Sequence, residues 1–355
     1  MAYKCIIPWV MMAQCFILVN NINAGKVPAI IVFGDSSVDS GNNNHVRTIV
    51  KANFPPYGRD FPGGNPTGRF CNGRIPPDFI SEAFGLKKIV PPYLHPSYDI
   101  KEFATGVCFA SAGTGYDPAT SNILKTVPLS KEVDNYKEYQ KKLRAHLGEK
   151  KANEVISEAL YVISMGTNDF LENYYLHPIT RGKYSNSVDK YIDFLVGIAE
   201  KFVKELHSLG ARKISLGGLL PMGCLPMQRT KNIVGGKGDK CVDDLNTVSK
   251  NFNSKLSNTV QKLNKELSGI KLVYANVYDL FYEYIHNSSK YGFQDGGKAC
   301  CATGRFELGY LCNKISPFTC KDAKKFVFWD AFHPSEETNR IISDALVKNG
   351  LRQFL

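Results

Sequence analysis

Short apolar runs alternate along this chain with longer amphipathic stretches. The runs that predict buried strands are Ala29–Phe33, Gly106–Ala110, Leu160–Met165, Lys213–Leu216, Lys271–Ala275 and the weaker Phe326–Trp329. Between them, apolar residues recur at helical spacing over Val188–Leu209 and Asp243–Leu267, and a last helix is predicted from Glu336 to Val347. Strands that alternate with helices predict an α/β fold, in which helices cover both faces of a mostly parallel sheet.

Polar residues and glycines follow four of these predicted strands. The segments are Gly34-Asp35-Ser36, Ser111-Ala112-Gly113, Gly166-Thr167-Asn168-Asp169 and Asp330-Ala331-Phe332-His333. Sites in open parallel sheets lie beyond the carboxyl ends of the strands. If all four runs belong to one sheet, we therefore expect these turns to meet at one edge of it. The Gly/Pro-rich loops between Asn42 and Pro76 and around Pro221–Pro226 are expected to shape the pocket at that edge.

The residue types in these turns are those that acyl transfer requires. The Ser36 hydroxyl is a weak nucleophile and needs an adjacent base, a role for His333, and Asp330 can hold the imidazole tautomer. The backbone N–H groups of Ser36 and Gly113 and the side-chain amide of Asn168 can bind the oxygen that becomes negative. The sequence therefore predicts Ser36, His333 and Asp330 as catalytic residues and Ser36, Gly113 and Asn168 as the oxyanion hole.

Each motif taken singly also has a structural explanation. The Ser36 segment can be a turn or a helix cap, the Asn168 segment a turn, and Asp330 with His333 a surface pair. Ser111 is a rival nucleophile, but its surroundings lack the first glycine of the Gly-x-Ser-x-Gly elbow. The four segments in combination favour Ser36.

The first 24 residues have the pattern of a cleaved secretory signal peptide. An apolar stretch, Ile6–Val19, follows one positive charge and precedes a small residue, Ala24, at the predicted cleavage site. The alternative is a membrane anchor, but the stretch is short for a bilayer core of ~30 Å and contains Pro8. We expect a secreted protein with a single domain over residues 25–355 and no stable membrane anchor.

Cysteine usage agrees with export. An even number of cysteines outside the signal indicates disulfides: Cys71, Cys108, Cys224, Cys241, Cys300, Cys301, Cys312 and Cys320. The four between Cys300 and Cys320 are expected to staple a loop. Zinc is the less favoured alternative, since that cluster has no Cys-x-x-Cys pair and no interleaved histidine. Asn287 lies in a sequon and is a candidate glycosylation site.

The charge of the chain adds little to the choice of partner. The net charge is +11, but the lysines are scattered and form no dense basic run, so nucleic acid is not expected as a partner. No pattern in the sequence specifies an oligomeric state.

Four sequence blocks, taken together, resemble those of a known family. They are Ile31–Asn43, Phe109–Gly113, Gly166–Asp169 and Phe328–Pro334. In these blocks the chain resembles the GDSL lipase/esterase family of the SGNH hydrolases, and within it the secreted plant branch. The resemblance runs from about Val27 to the C-terminus, which is nearly the whole chain beyond the predicted signal peptide.

This resemblance implies a flavodoxin-like three-layer α/β/α sandwich and no metal or organic cofactor. It makes Ser36, Gly113, Asn168 and His333 the four residues of the family signature, and Asp330 completes the triad. Cysteines stand at positions 71 and 108, where the family often has serine and asparagine. That departure raises the hypothesis that these two cysteines pair with each other, which requires Cα atoms within ~7 Å.

The predicted function is hydrolysis of carboxylic esters, either acyl lipids or small acyl esters, through an acyl-enzyme. Removal of acetyl groups from cell-wall polysaccharide and acyl transfer to an alcohol are alternatives, since they use the same triad. A non-catalytic binding protein on the same scaffold is the alternative from another class, because fold alone does not determine function.

Overall fold

The computed structural model describes residues 27–355, so the predicted signal peptide lies outside the described residues. Its central sheet consists of five parallel strands: β1 Ile30–Gly34, β2 Gly106–Cys108, β3 Leu160–Ser164, β4 Lys213–Gly217 and β5 Lys271–Ala275. Their order is β2-β1-β3-β4-β5, as in flavodoxin-like doubly wound folds. The predicted α/β/α sandwich is confirmed.

The helices that surround this sheet mostly follow the amphipathic stretches of the sequence. They are α1 Pro76–Ala83, α2 Ile100–Phe103, α3 Pro118–Leu124, α4 Leu129–Leu147, α5 Glu149–Glu158, α6 Pro178–Lys183, α7 Val188–Ser208, α8 Pro226–Val234, α9 Asp243–Glu266, α10 Val277–His286 and α11 Glu336–Asn349. None of the helices within residues 27–355 combines the length and apolar character needed to span a bilayer.

Both faces of the sheet are covered, which explains why its strands are continuously apolar. Along β1, Phe33 belongs to the large core cluster that includes residues of α4, α7 and α9. Its neighbour Val32 points the other way, into a smaller cluster with Ile80 of α1 and residues at the end of α11. The carboxyl ends of the strands remain as the place where polar groups gather.

The last predicted strand does not join the central sheet. Phe326–Phe328 forms β7, which pairs in parallel with β6, Asp295–Ala299, in a separate two-stranded sheet. The expectation that four turns follow strands of one sheet is therefore wrong for the segment that carries His333. The physical reason is local pairing, since the carbonyls of Phe328 and Trp329 accept the N–H groups of Cys300 and Cys301.

Six of the eight cysteines within residues 27–355 form disulfides, which connect Cys224 to Cys241, Cys300 to Cys320 and Cys301 to Cys312. The predicted stapled loop is thus present. The hypothesis that Cys71 pairs with Cys108 is wrong, because both are buried free thiols. Cys71 Sγ lies 3.5 Å from the carbonyl oxygen of Pro334, whereas Cys108 Sγ donates to the carbonyl of Val38 at 3.3 Å, so each has its own partner.

Candidate active site

A sharp turn after β1 presents Ser36. Gly34 has φ of +146°, and a Cβ at this residue would lie 2.0 Å from the carbonyl oxygen of Ser164, so only glycine fits. The N–H of Asp35 donates to that same carbonyl at 3.0 Å. The Asp35 carboxylate accepts the N–H and hydroxyl of Ser37 at 2.9 and 2.7 Å, and burial raises the pKa of this carboxyl. Hydrogen bonds to the Ser164 carbonyl and to the Asp35 carboxylate therefore fix the conformation of the turn.

A chain of hydrogen bonds connects the predicted catalytic residues. Ser36 Oγ lies 2.8 Å from His333 Nε2, and His333 Nδ1 lies 2.9 Å from each carboxylate oxygen of Asp330. Asp330 is fully buried, and its Oδ1 also accepts the backbone N–H groups of Phe332 and His333 at 2.9 and 2.7 Å. Ser36 and His333 keep 8% and 5% of their surface exposed, so the serine end of this hydrogen-bonded series reaches a cavity.

Tyr57 also contributes to this hydrogen-bonded series, a contact that the sequence did not predict. Its hydroxyl donates to Asp330 Oδ2 at 2.7 Å and accepts the N–H of Gly309 at 2.9 Å. Burial and the adjacent Asp330 carboxylate raise the pKa of Tyr57, so the phenol keeps its proton. Tyr57 and Asp330 are 273 residues apart, and no local motif around Tyr57 signals the contact.

The predicted oxyanion residues line a pocket together with the predicted base. Ser36, Gly113, Asn168 and His333 line one pocket of about 250 Å³. Gly113 has φ of +88°, and a Cβ there would lie 2.9 Å from Leu124 Cδ1, so the site requires glycine. These four side chains and backbone groups are therefore brought together as expected.

Asn168 is held in position by its own amide. Its Nδ2 donates to the carbonyl oxygen of Thr114 at 3.0 Å, just after Gly113. A side-chain amide carries two hydrogens, so this bond leaves one donor for a ligand. A π-helical turn, Asp169–Tyr174, follows at once, a geometry often found beside functional sites.

Two buried carboxyl groups fix the loop that contains Gly113. Asp39 accepts the N–H of Ala112 at 3.1 Å. Asp169 accepts the N–H of Tyr116 at 2.8 Å and the hydroxyl of Thr120 at 2.6 Å. Burial raises the pKa of Asp39 to about 6 and that of Asp169 to about 7. The residue after Asn168 thus anchors residues 116–120, the segment that follows Gly113.

A third buried carboxyl group lies beneath the nucleophile turn. Glu132 of α4 is fully buried, and its Oε2 accepts the N–H of Gly34 at 3.0 Å. Burial raises the pKa of this group well above its ordinary value. In the sequence Glu132 reads as an ordinary polar position of an amphipathic helix, so its contact with the turn could not be predicted.

The loops around the pocket correspond only in part to expectation. The Gly/Pro-rich segment 42–76 supplies Ile49–Lys51 and Phe70 to the pocket wall, as predicted. The segment Pro221–Pro226 was expected there as well, but Cys224 ties it to Cys241 instead. The stapled loop contributes Leu308–Leu311, which the sequence did not indicate.

The predicted glycosylation site lies away from these loops. Asn287 is exposed at the end of α10, and its Nδ2 donates to Glu283 Oε2 at 2.8 Å. Its modification stays a prediction.

Comparison with known proteins assigns the chain to a family. A sequence model described as GDSL-like lipase/acylhydrolase matches residues 30–346. Two Arabidopsis thaliana proteins named GDSL esterase/lipase are 58% identical over 332 residues, with 94% of each chain covered, and 57% identical over 329 residues, with 93% of each covered. A third is 55% identical over 337 residues, covering 94% of this chain and 95% of its own. The chain therefore belongs to the GDSL-like lipase/acylhydrolase family of ester hydrolases.

Proposed function

We propose that this protein is a secreted serine esterase that cleaves acyl lipids or small acyl esters through an acyl-enzyme. The observation that carries the proposal is the hydrogen-bonded chain from Asp330 through His333 to Ser36, which ends in the pocket lined by Gly113 and Asn168. This arrangement supplies a base, a nucleophile and oxyanion donors within one small volume.

In the first half of the reaction, His333 Nε2 takes the hydroxyl proton as Ser36 Oγ attacks the ester carbonyl carbon. The carbonyl oxygen becomes negative and accepts hydrogen bonds from the N–H groups of Ser36 and Gly113 and from Asn168 Nδ2. The C–O bond to the alcohol then breaks, and the imidazolium returns its proton to the departing oxygen. Asp330 keeps the remaining proton on Nδ1 and stabilises the cation.

In the second half, water takes the place of the alcohol. His333 Nε2 removes a proton from the water as its oxygen attacks the acyl carbon, and the same donors bind the oxyanion. Collapse breaks the bond to Ser36 Oγ, which regains its proton from the imidazolium. The products are the free carboxylic acid and the unmodified serine.

Export is the second part of the proposal. Three disulfides, Cys224–Cys241, Cys300–Cys320 and Cys301–Cys312, support an oxidising compartment, since such bonds are rare in the cytosol. The apolar N-terminal stretch of the sequence agrees with this location.

The test combines covalent labelling with turnover. We expect a fluorophosphonate to label wild-type protein at Ser36, and Ser36→Ala to lose the label and at least about 10⁴-fold of p-nitrophenyl butyrate hydrolysis. Ser37→Ala is the matched control, because its hydroxyl belongs to the same turn but contacts Asp35 and Ser164. Labelling or turnover that survives Ser36→Ala would overturn the proposal.

A further inference from the structure

A second cavity leads away from the catalytic pair. It shares Ser36, Phe332 and His333 with the pocket that holds Gly113 and Asn168, here called the oxyanion pocket. We call the second one the inner cavity. Two separate spaces therefore meet at the reacting serine, and an ester has two arms to accommodate.

The inner cavity has an apolar wall. Its side chains come from the ends of the central strands and from α1, α10 and α11, and they include Ile80, Val162, Leu219, Phe281, Ile342 and Leu346. Among the described lining residues, the ionisable groups are Asp35 and His333, which both lie at the catalytic end. The rest of the cavity therefore offers no charged partner to a ligand and favours a hydrocarbon.

The size of this space limits the chain that it can hold. Its lining residues follow the carboxyl ends of β1, β3, β4 and β5, from Ser36 across to Ala275. The cavity has a volume of about 100 Å³, which is less than the ~150 Å³ of an apolar cavity that holds benzene, so it has room for a chain of about four carbons.

We propose that the inner cavity binds the acyl chain, so that the preferred substrates are esters of short, unbranched carboxylic acids. The assignment rests on the proposed esterase mechanism. The apolar space suits the acyl group, because this group stays bonded to Ser36 while the alcohol leaves and water enters. The oxyanion pocket carries Lys51 and Glu172 on its wall and suits the alcohol and the incoming water.

A series of p-nitrophenyl esters with acyl chains of two to sixteen carbons tests the length of the cavity. Each buried methylene should raise kcat/KM about three- to four-fold until the cavity is full. We therefore expect the optimum at about four carbons, with a decline at ten and beyond.

Variants at the far end of the cavity test its location. Ala275→Leu fills part of the space and should move the optimum to shorter chains. Leu346→Ala should move it to longer chains. Ala345→Leu is the matched control, because Ala345 lines a neighbouring depression with Leu346 but is outside the inner cavity. Melting temperatures verify that all three variants fold.

The outcomes distinguish this inference from the proposed function. A flat acyl-length profile, or a profile that Ala275→Leu and Leu346→Ala leave unchanged while acetate is still hydrolysed, would overturn the inference alone. A length dependence that appears instead with alkyl acetates of growing alcohol chain would assign the cavity to the alcohol and also overturn it. Loss of both fluorophosphonate labelling and acetate turnover in wild-type protein would overturn both proposals.

Discussion

Replacing Asn168 tests whether this residue is an oxyanion donor or only part of a turn. One hydrogen of its amide is bound to the Thr114 carbonyl at 3.0 Å, and the side chain lines the oxyanion pocket. The second hydrogen can reach the substrate oxygen, where it matters most once negative charge has developed. Asn168→Ala should therefore lower kcat by on the order of 10²–10³-fold and change KM little.

Asn168→Asp keeps the size of the side chain but reverses its electrostatics. One carboxylate oxygen would face the Thr114 carbonyl oxygen, where the amide now donates, and the other would face the developing oxyanion. Both contacts are repulsive, so this variant should be at least as slow as Asn168→Ala. If Asn168 only forms the turn, aspartate should be the milder change, because both residue types suit turns.

The assay is steady-state hydrolysis of a p-nitrophenyl ester, with the melting temperature measured on the same samples. Asn264→Asp is a suitable control, since Asn264 also donates its amide to a carbonyl, that of Leu272 at 2.7 Å, at the far end of β5. It should lose stability without a matching loss of kcat. Near-normal kcat in a stably folded Asn168→Asp variant would refute the oxyanion role.

Three further predictions follow from the contacts around the site. Tyr57→Phe leaves one oxygen of Asp330 without its donor and should lower kcat by about ten-fold, the equivalent of one hydrogen bond to a charged group; unchanged kinetics would contradict this. Of the eight cysteines in residues 27–355, iodoacetamide without reductant should modify none in folded protein and only Cys71 and Cys108 after unfolding, as read from the intact mass; modification of any other of the eight would contradict the disulfide assignment. Burial raises the pKa of Asp169 from the ordinary 3.8 to about 7. The folded protein therefore binds this proton more tightly than the unfolded chain does, and the resulting contribution to the free energy of unfolding is lost as pH rises from about 4 to about 7. Urea unfolding at pH 5 and pH 8 should show that the free energy of unfolding declines less for Asp169→Asn than for wild type. An equal or larger decline in the variant would contradict the raised pKa of Asp169.

The central sheet could be predicted because its strands are buried on both faces and read as continuous apolar runs. The fifth, Lys271–Ala275, has the predicted bounds, and the others differ by one or two residues at one or both ends. The partner of β7 could not be predicted, because Asp295–Ala299 has two glycines and no apolar run. Its pairing depends on the neighbouring disulfide loop and not on its own pattern.

The proposed catalytic residues could be predicted from the sequence for a different reason. Asp330 and His333 are three residues apart, and each of the other motifs directly follows a strand, so local spacing carried the information. Tyr57 and Glu132 act across 273 and 98 residues, and their types are common in loops and helices, so nothing local marks them. The cysteine hypothesis failed likewise, since spacing does not say which thiols meet.

The proposed base, His333, and the proposed nucleophile, Ser36, follow strands of different sheets, so their 2.8 Å contact depends on how the small sheet is attached. The attachment is built from the stapled loop. Gly309 of that loop donates to Tyr57, Tyr57 donates to Asp330, and the N–H of Ala331 donates to the carbonyl of Glu307 at 2.9 Å. The disulfides Cys300–Cys320 and Cys301–Cys312 restrict this loop, so they also restrict the positions of Asp330 and His333.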